Sequence, residues 1–261
     1  MSNTKKKIFE LSTIGLTDGV GAAIAAVFWF YIASQLGPEN YGELSYLISI
    51  AALVSGIAIF GSNHTILVLT GKKVDIHATL YMITMLANVV GSIIIFILFF
   101  NLGISLLIIG YSLFALVSAD LLGRKLYKSY SKYIITQKIL LVVFGIGFYY
   151  LIGENGILIG IGLAHVHLIF RIVKSFKNSK INFKVIKERK EFVFNNLAIG
   201  VVGIVYGSID KLIIGSFIGF GLLGNYSLGL QFYSILNLLP AMTVKYFIGQ
   251  DISKIPNKKL K

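Results

Sequence analysis

Eight stretches of this chain are apolar for about 20 residues each, and that repetition constrains the fold more than any other feature. A helix rises about 1.5 Å per residue, so about 20 residues match the roughly 30 Å hydrocarbon core of a bilayer. Candidate spans fall at about 12–34, 44–67, 78–100, 102–122, 133–152, 155–173, 192–214 and 222–244. The expected fold is therefore an all-α integral membrane protein of about eight transmembrane helices. Composition agrees. Of 261 residues 56% are hydrophobic and 13% charged, against about 25% charged in a soluble domain. The Lys5–Lys7 cluster before the first block resembles the start of a signal peptide. That block, however, runs to Ser34, holds Thr17 and Asp18, and exceeds a signal-peptide core of about 7–15 residues.

The spans divide unevenly around one wet stretch. Arg171 to Glu191 carries eight cations: Arg171, Lys174, Lys177, Lys180, Lys184, Lys187, Arg189 and Lys190. Residues 1–173 then form an N-terminal six-helix lobe, 174–191 a basic cytoplasmic joint, and 192–261 an incomplete second lobe with a basic tail. The joint is either a surface helix, with Ile181, Val185 and Phe192 near one face, or a solvated loop. With the N-terminus inside, every Lys and Arg except Lys138 and Lys211 falls in an inner segment, while the outer turns hold Glu39, Glu43 and Glu154. The positive-inside rule thus places both termini in the cytoplasm, in a multi-pass protein of the cytoplasmic membrane. Because the cations sit in loops with no aromatic-interleaved groove, the net charge of +13 does not indicate a nucleic-acid partner.

Two outer turns match. Residues 32–45 (IASQLGPENYGELS) align without gaps on residues 214–227 (IGSFIGFGLLGNYS), with Ile32/Ile214, Ser34/Ser216, Gly37/Gly219, Gly42/Gly224 and Ser45/Ser227 identical. The offset of 182 residues carries span 1 onto span 7 and span 2 onto span 8, which makes them parallel repeats. The four glycines supply backbone angles that other residues resist.

The stretch LGPENYGELSYLISI, with Phe60–Gly61 after it, resembles the first hairpin of the polysaccharide flippases of the MOP superfamily, the Wzx-type oligosaccharide exporters. SIDKLIIGSFIGFGLLGNYSL resembles that family's seventh helix and following turn, including its Asp–basic pair at Asp210 and Lys211. The resemblance implies two six-helix lobes around a central cavity that moves lipid-linked oligosaccharide or polysaccharide precursors outward by alternating access. The implied partners are membrane lipids and the lipid-linked glycan. This chain departs in showing only two spans of the second lobe, so a second copy or a separately encoded partner is expected to complete the enclosure. The chain alone is not expected to flip its substrate. Two alternatives stand: a multidrug or ion-coupled antiporter of the same superfamily, and a non-transporting truncated remnant or accessory subunit.

Charges inside a bilayer are costly and mark candidate sites. Asp18 is either a cavity-lining group or an interfacial carboxylate reaching water or a lysine. Asp120 and Arg124, four apart on one helical face, read as a structural ion pair. Asp210 and Lys211 point about 100° apart, so Asp210 is expected to face the bundle and Lys211 the outer headgroups, with structural pairing and substrate contact both open for them. Asn88, Asn195, Asn196, Gln231 and Asn237 are candidates for sugar hydroxyls, with interhelical hydrogen bonding as the default. His165 and His167 lie about 200° apart and cannot share a metal as i, i+4 ligands would; no metal or cofactor is expected. The pairs Gly156/Gly160, Gly203/Gly207 and Gly215/Gly219 fit close helix packing. With no cysteine, no paired carboxylates, no G-x-S-x-G and no D-x-D motif, an enzyme is not expected.

Overall fold

The computed structural model describes residues 3–179, 181–238 and 240, and every secondary-structure element among them is helical. The first is α1 (Asn3–Ile59), which is two helices in one run. Gly37, at φ 72° and ψ 175°, breaks it just before Pro38. The ring of Trp29 lies 6.4 Å from that of Tyr41, whereas twelve residues of straight helix would separate them by about 18 Å. The chain therefore folds back at Gly37 into a hairpin. Its second arm stops at Ile59, where Phe60 and Gly61 take left-handed angles, and the expected second span is thereby split. The short α2 (Ser62–Gly71) follows.

Then come α3 (His77–Phe99), α4 (Leu102–Gly123), α5 (Tyr127–Ile152) and α6 (Glu154–Leu163). Polar punctuation sets these boundaries. Asn101 caps α4 by accepting from the Ile104 N–H at 3.1 Å, and Gly153 separates α5 from α6 at φ 74°. The expected sixth span is likewise interrupted: a 3₁₀ turn at Val166–Leu168 joins α6 to α7 (Ile169–Asn178). The joint is two short helices rather than one surface helix or a loop, because α7 runs into it and α8 (Phe183–Glu188) follows. Next stand α9 (Lys190–Ile213), a π turn at Ile214–Ile218, and α10 (Phe220–Leu236). Among the described residues, five helices or helical runs are long and apolar enough to cross a membrane, the first of them holding both arms of the hairpin. The end of the expected eighth span and the basic tail lie outside the described residues.

In lipid, apolar helices gain little from burying apolar surface against one another, so close backbone approach and polar links must hold them. Both occur here. Ser92 and Ser105 donate to each other's carbonyls at 2.9 and 3.1 Å, tying α3 to α4. Thr84 bonds Ser62 at 3.0 Å and Asn196 bonds Thr65 at 3.2 Å. Backbone of α5 at Phe144 and Phe148 fills the space beside Gly160 and Gly156, whereas Gly203 and Gly207 meet nothing. The most buried spanning helix is α4, while α3 turns Leu86, Val90, Ile93 and Ile97 outward. Polar contacts also gather at two ends. Asn40 bonds Glu154 at 2.8 Å at one. At the other, Asp75 bonds Ser179 and the Asn182 N–H bonds Thr79.

Candidate functional site

The two matching turns come together in space, and their contact is reciprocal. Gly37 and Gly219 both break the backbone with positive φ, at 72° and 127°. Each is followed at once by a helix, starting with Pro38 in one turn and Phe220 in the other. The carbonyl of Phe220 occupies the place where a Cβ on Gly42 would stand, and the carbonyl of Pro38 occupies that place on Gly224. Pro38 and Phe220 are themselves equivalent at the 182-residue offset. A contact that maps onto itself in this way defines a pseudo-twofold axis between the hairpin of α1 and the α9–α10 pair. Tyr46, over Gly215 and 3.1 Å from the Ser216 hydroxyl, closes the same interface.

Close beside that contact lies a crevice of about 220 Å³, lined by Trp29, Tyr41, Ser45, Ile48, Lys211, Ser227, Leu230, Gln231 and Ser234. Three pairs in this lining are repeat equivalents: Trp29 with Lys211, Ser45 with Ser227, and Ile48 with Leu230. The repeat places matching positions on both walls, and their chemistry has diverged. One wall carries an aromatic face where the other carries a cation. Ser45 spends its hydroxyl on the Tyr41 carbonyl at 2.8 Å. The Ser227 hydroxyl is buried and has no hydrogen-bond partner among the described residues. The crevice thus offers an aromatic platform, hydroxyls, an amide and one ammonium group, a set suited to a polyhydroxylated, anionic ligand.

Of the residues expected at a site, Lys211 and Gln231 line this crevice. Lys211 lies beside Trp29 and Gln231 in the crevice wall. Asp210 accepts from Tyr226 of α10 at 2.5 Å, and fixing it there turns its neighbour Lys211 toward the hairpin. Asp210 thus bonds toward α10. Asn88 does not line the crevice; it donates to the Thr84 carbonyl at 2.9 Å and keeps a buried Oδ1 with no hydrogen-bond partner among the described residues. Asn196 serves as the interhelical link to Thr65. Asn195 lines only a shallow groove with Lys190, Glu191 and Phe194. Asn237 donates to the Tyr233 carbonyl of its own helix. Asp18 accepts from Tyr130 at 3.0 Å, beside a Thr17–Ser131 hydroxyl pair that joins α1 to α5.

The ion pair is larger than its sequence spacing shows. Asp120, 1% exposed, accepts from Arg124 Nε at 2.7 Å and from Arg171 Nη2 at 2.8 Å. The second arginine, 51 residues away, carries no local signal. Arg124 Nη2 lies 3.1 and 3.2 Å from the two ring nitrogens of His77, whose Nδ1 is 3.1 Å from Asp75. A tautomer protonated on Nδ1 satisfies both neighbours. His165 contacts the Ile161 carbonyl and Gln137, and His167 contacts the Ala164 and Tyr133 carbonyls, so the two point apart. No group of three or more potential metal ligands occurs among the described residues.

The sequence reading missed Trp29, Tyr41 and Ser45, although the repeat offset, applied to Lys211, points straight to Trp29. The fold and crevice together define a class: an all-helical, membrane-embedded protein with a polar crevice between repeat-related hairpins. Compared with known protein families, curated proteins and solved structures, the chain matches none of them.

Proposed function

We propose that this protein translocates a lipid-linked oligosaccharide or polysaccharide precursor across the cytoplasmic membrane, with the crevice on the pseudo-twofold axis as its glycan-phosphate site. The observation that carries the reading is the crevice lining. Trp29, packed on the buried Tyr41, offers a ring face for a sugar, Ser227 and Gln231 offer hydrogen bonds, and Lys211 offers the one charge that a phosphate needs. The resemblance of residues 36–50 and 208–228 to polysaccharide flippases supports the same reading. The α9–α10 pair then begins a second lobe, in an eight-span chain with its basic ends in the cytoplasm. A second copy or a separate partner covers the remaining face of the crevice. Because the chain has no cysteine, single cysteines introduced at Asn40 and Asn101 should label from outside, and at Ser129 and Asn182 from inside. One reversal breaks the eight-span orientation.

Transport tests the function itself. In proteoliposomes the chain with its completing partner should flip a fluorescent lipid-linked oligosaccharide, whereas the chain alone should bind it without flipping. Lys211→Ala removes a hydrogen bond to a charged group, worth roughly 1.5–3 kcal/mol, and should lower transport at subsaturating substrate about tenfold or more. Export of a cationic drug with no effect on the glycan would replace this reading with the antiporter one.

A further inference from the structure

A second cavity, of about 840 Å³, opens between the ends of α2, α3, α4 and α7, away from the crevice. We infer that it is a binding site for a phosphate-class anion, an inorganic phosphate or pyrophosphate or the phosphate of an anionic lipid headgroup. Its lining holds five cations, Lys73, Arg124, Lys125, Arg171 and Lys174, against two carboxylates, Asp75 and Asp120. Asp120 is fully engaged by the two arginines, and Asp75 is held by Ser179 and His77. Lys73, Lys125 and Lys174 form no ion pair among the described residues, so the cavity keeps an uncompensated positive charge. Two hydroxyls in the same lining, Thr70 and Ser175, are buried and have no hydrogen-bond partner among the described residues. Orphaned buried donors beside unpaired cations are what phosphate oxygens would satisfy.

The backbone adds an independent sign. α2 and α4 end in the same way, at Gly71-Lys72-Lys73-Val74 and Gly123-Arg124-Lys125-Leu126. In each, the last two N–H groups turn back to the helix: Lys73 to Thr70 and Val74 to Leu69, both at 2.9 Å, then Lys125 to Leu122 at 3.0 Å and Leu126 to Leu121 at 2.9 Å. This is the Schellman cap, whose left-handed residue is usually glycine. Here Lys73 at φ 61° and Lys125 at φ 56° occupy it. Both lysines sit where a side chain is strained, and both line the one cavity. Of the four non-glycine residues with positive φ among the described residues, the two that are cations are the two that line this cavity.

The test uses the full chain. Pyrophosphate and phosphate are titrated calorimetrically in neutral detergent. Separately, enrichment of phosphatidylglycerol over phosphatidylcholine is read by native mass spectrometry from mixed-lipid nanodiscs. Saturable binding is expected in at least one arm: pyrophosphate in detergent identifies a free anion, and phosphatidylglycerol enrichment alone identifies a headgroup. Lys73→Gly with Lys125→Gly should weaken that binding at least tenfold while the Tm holds or rises, because glycine relieves the caps. Ser175→Ala, which only removes a buried hydroxyl, should weaken it several-fold and guards against misfolding of the glycine pair. Lys184→Ala with Lys187→Ala, on exposed α8, should leave it within twofold. No saturable binding in either arm, or equal loss in the α8 variant, overturns the site.

Discussion

Gly42→Ala and Gly224→Ala should each destabilise the protein by about 1–3 kcal/mol or more, although each adds a single methyl group. The added carbon would fall on a backbone carbonyl, of Phe220 in one case and Pro38 in the other. A flexible side chain could move aside; a helix backbone can do so only by carrying its helix with it. The α1 hairpin and α9–α10 would have to separate, and the packing of Tyr46 on Phe220 and Gly215 would go with them. Because the two clashes lie across one axis, opening the interface for the first makes room for the second. The double variant should therefore cost less than the sum of the singles. Gly147→Ala supplies the control: it sits in α5 with no neighbour at its Cβ position and should be neutral or stabilising by up to about 1 kcal/mol. Equilibrium unfolding in mixed detergent would read all four. Strict additivity would contradict a shared axis.

Removing Asp120 should be the costliest change in the N-terminal half. Asp120→Asn keeps the shape but leaves Arg124 and Arg171 facing each other with no counter-charge at a site that is 1% exposed. Breaking a buried pair by deleting one partner costs about 3–5 kcal/mol. Arg124→Gln should cost far less, since Asp120 still holds Arg171 and a neutral pair remains. Arg171→Gln should fall between the two, because Arg171 is the more buried arginine, with 19% of its side chain exposed against 37% for Arg124. The order, read by thermal unfolding of the purified variants, is the prediction. An Arg124 variant as damaged as Asp120→Asn would mean that the network is not centred on the carboxylate.

What the sequence makes legible in this fold depends on whether the signal is local. The break at Gly37, the Asn101 cap and the Gly153 turn were readable because glycine and asparagine punctuate otherwise uniform apolar sequence. Asp120 with Arg124 was readable from i, i+4 spacing; Arg171 was not, because only folding brings it there. The interruptions at Phe60–Gly61 and Val166–Leu168 do carry local marks, Gly61-Ser62-Asn63-His64 in one and His165 with His167 in the other, but each is short and flanked by apolar residues, so a 20-residue average hides it. The place of Lys211 in the crevice wall is not legible for a related reason. Helical geometry sets the angle between Asp210 and Lys211, but only Tyr226 decides which of them faces α10. Trp29 was within reach, through the repeat, and was passed over as one more apolar residue in a span.

Trp29 is also the means of testing the central proposal, because it is the only tryptophan in the chain and it lines the crevice. Its fluorescence therefore reports from one wall of one site. Titrating the purified protein with a polyprenyl-pyrophosphate-linked oligosaccharide should change Trp29 emission saturably, and Lys211→Ala should raise the apparent Kd about tenfold or more. The polyprenyl lipid without sugar or phosphate should leave the emission unchanged. Saturable binding detected by another probe while Trp29 stays silent, or an identical Kd in the Lys211→Ala variant, would place the substrate elsewhere and contradict the crevice as the glycan-phosphate site.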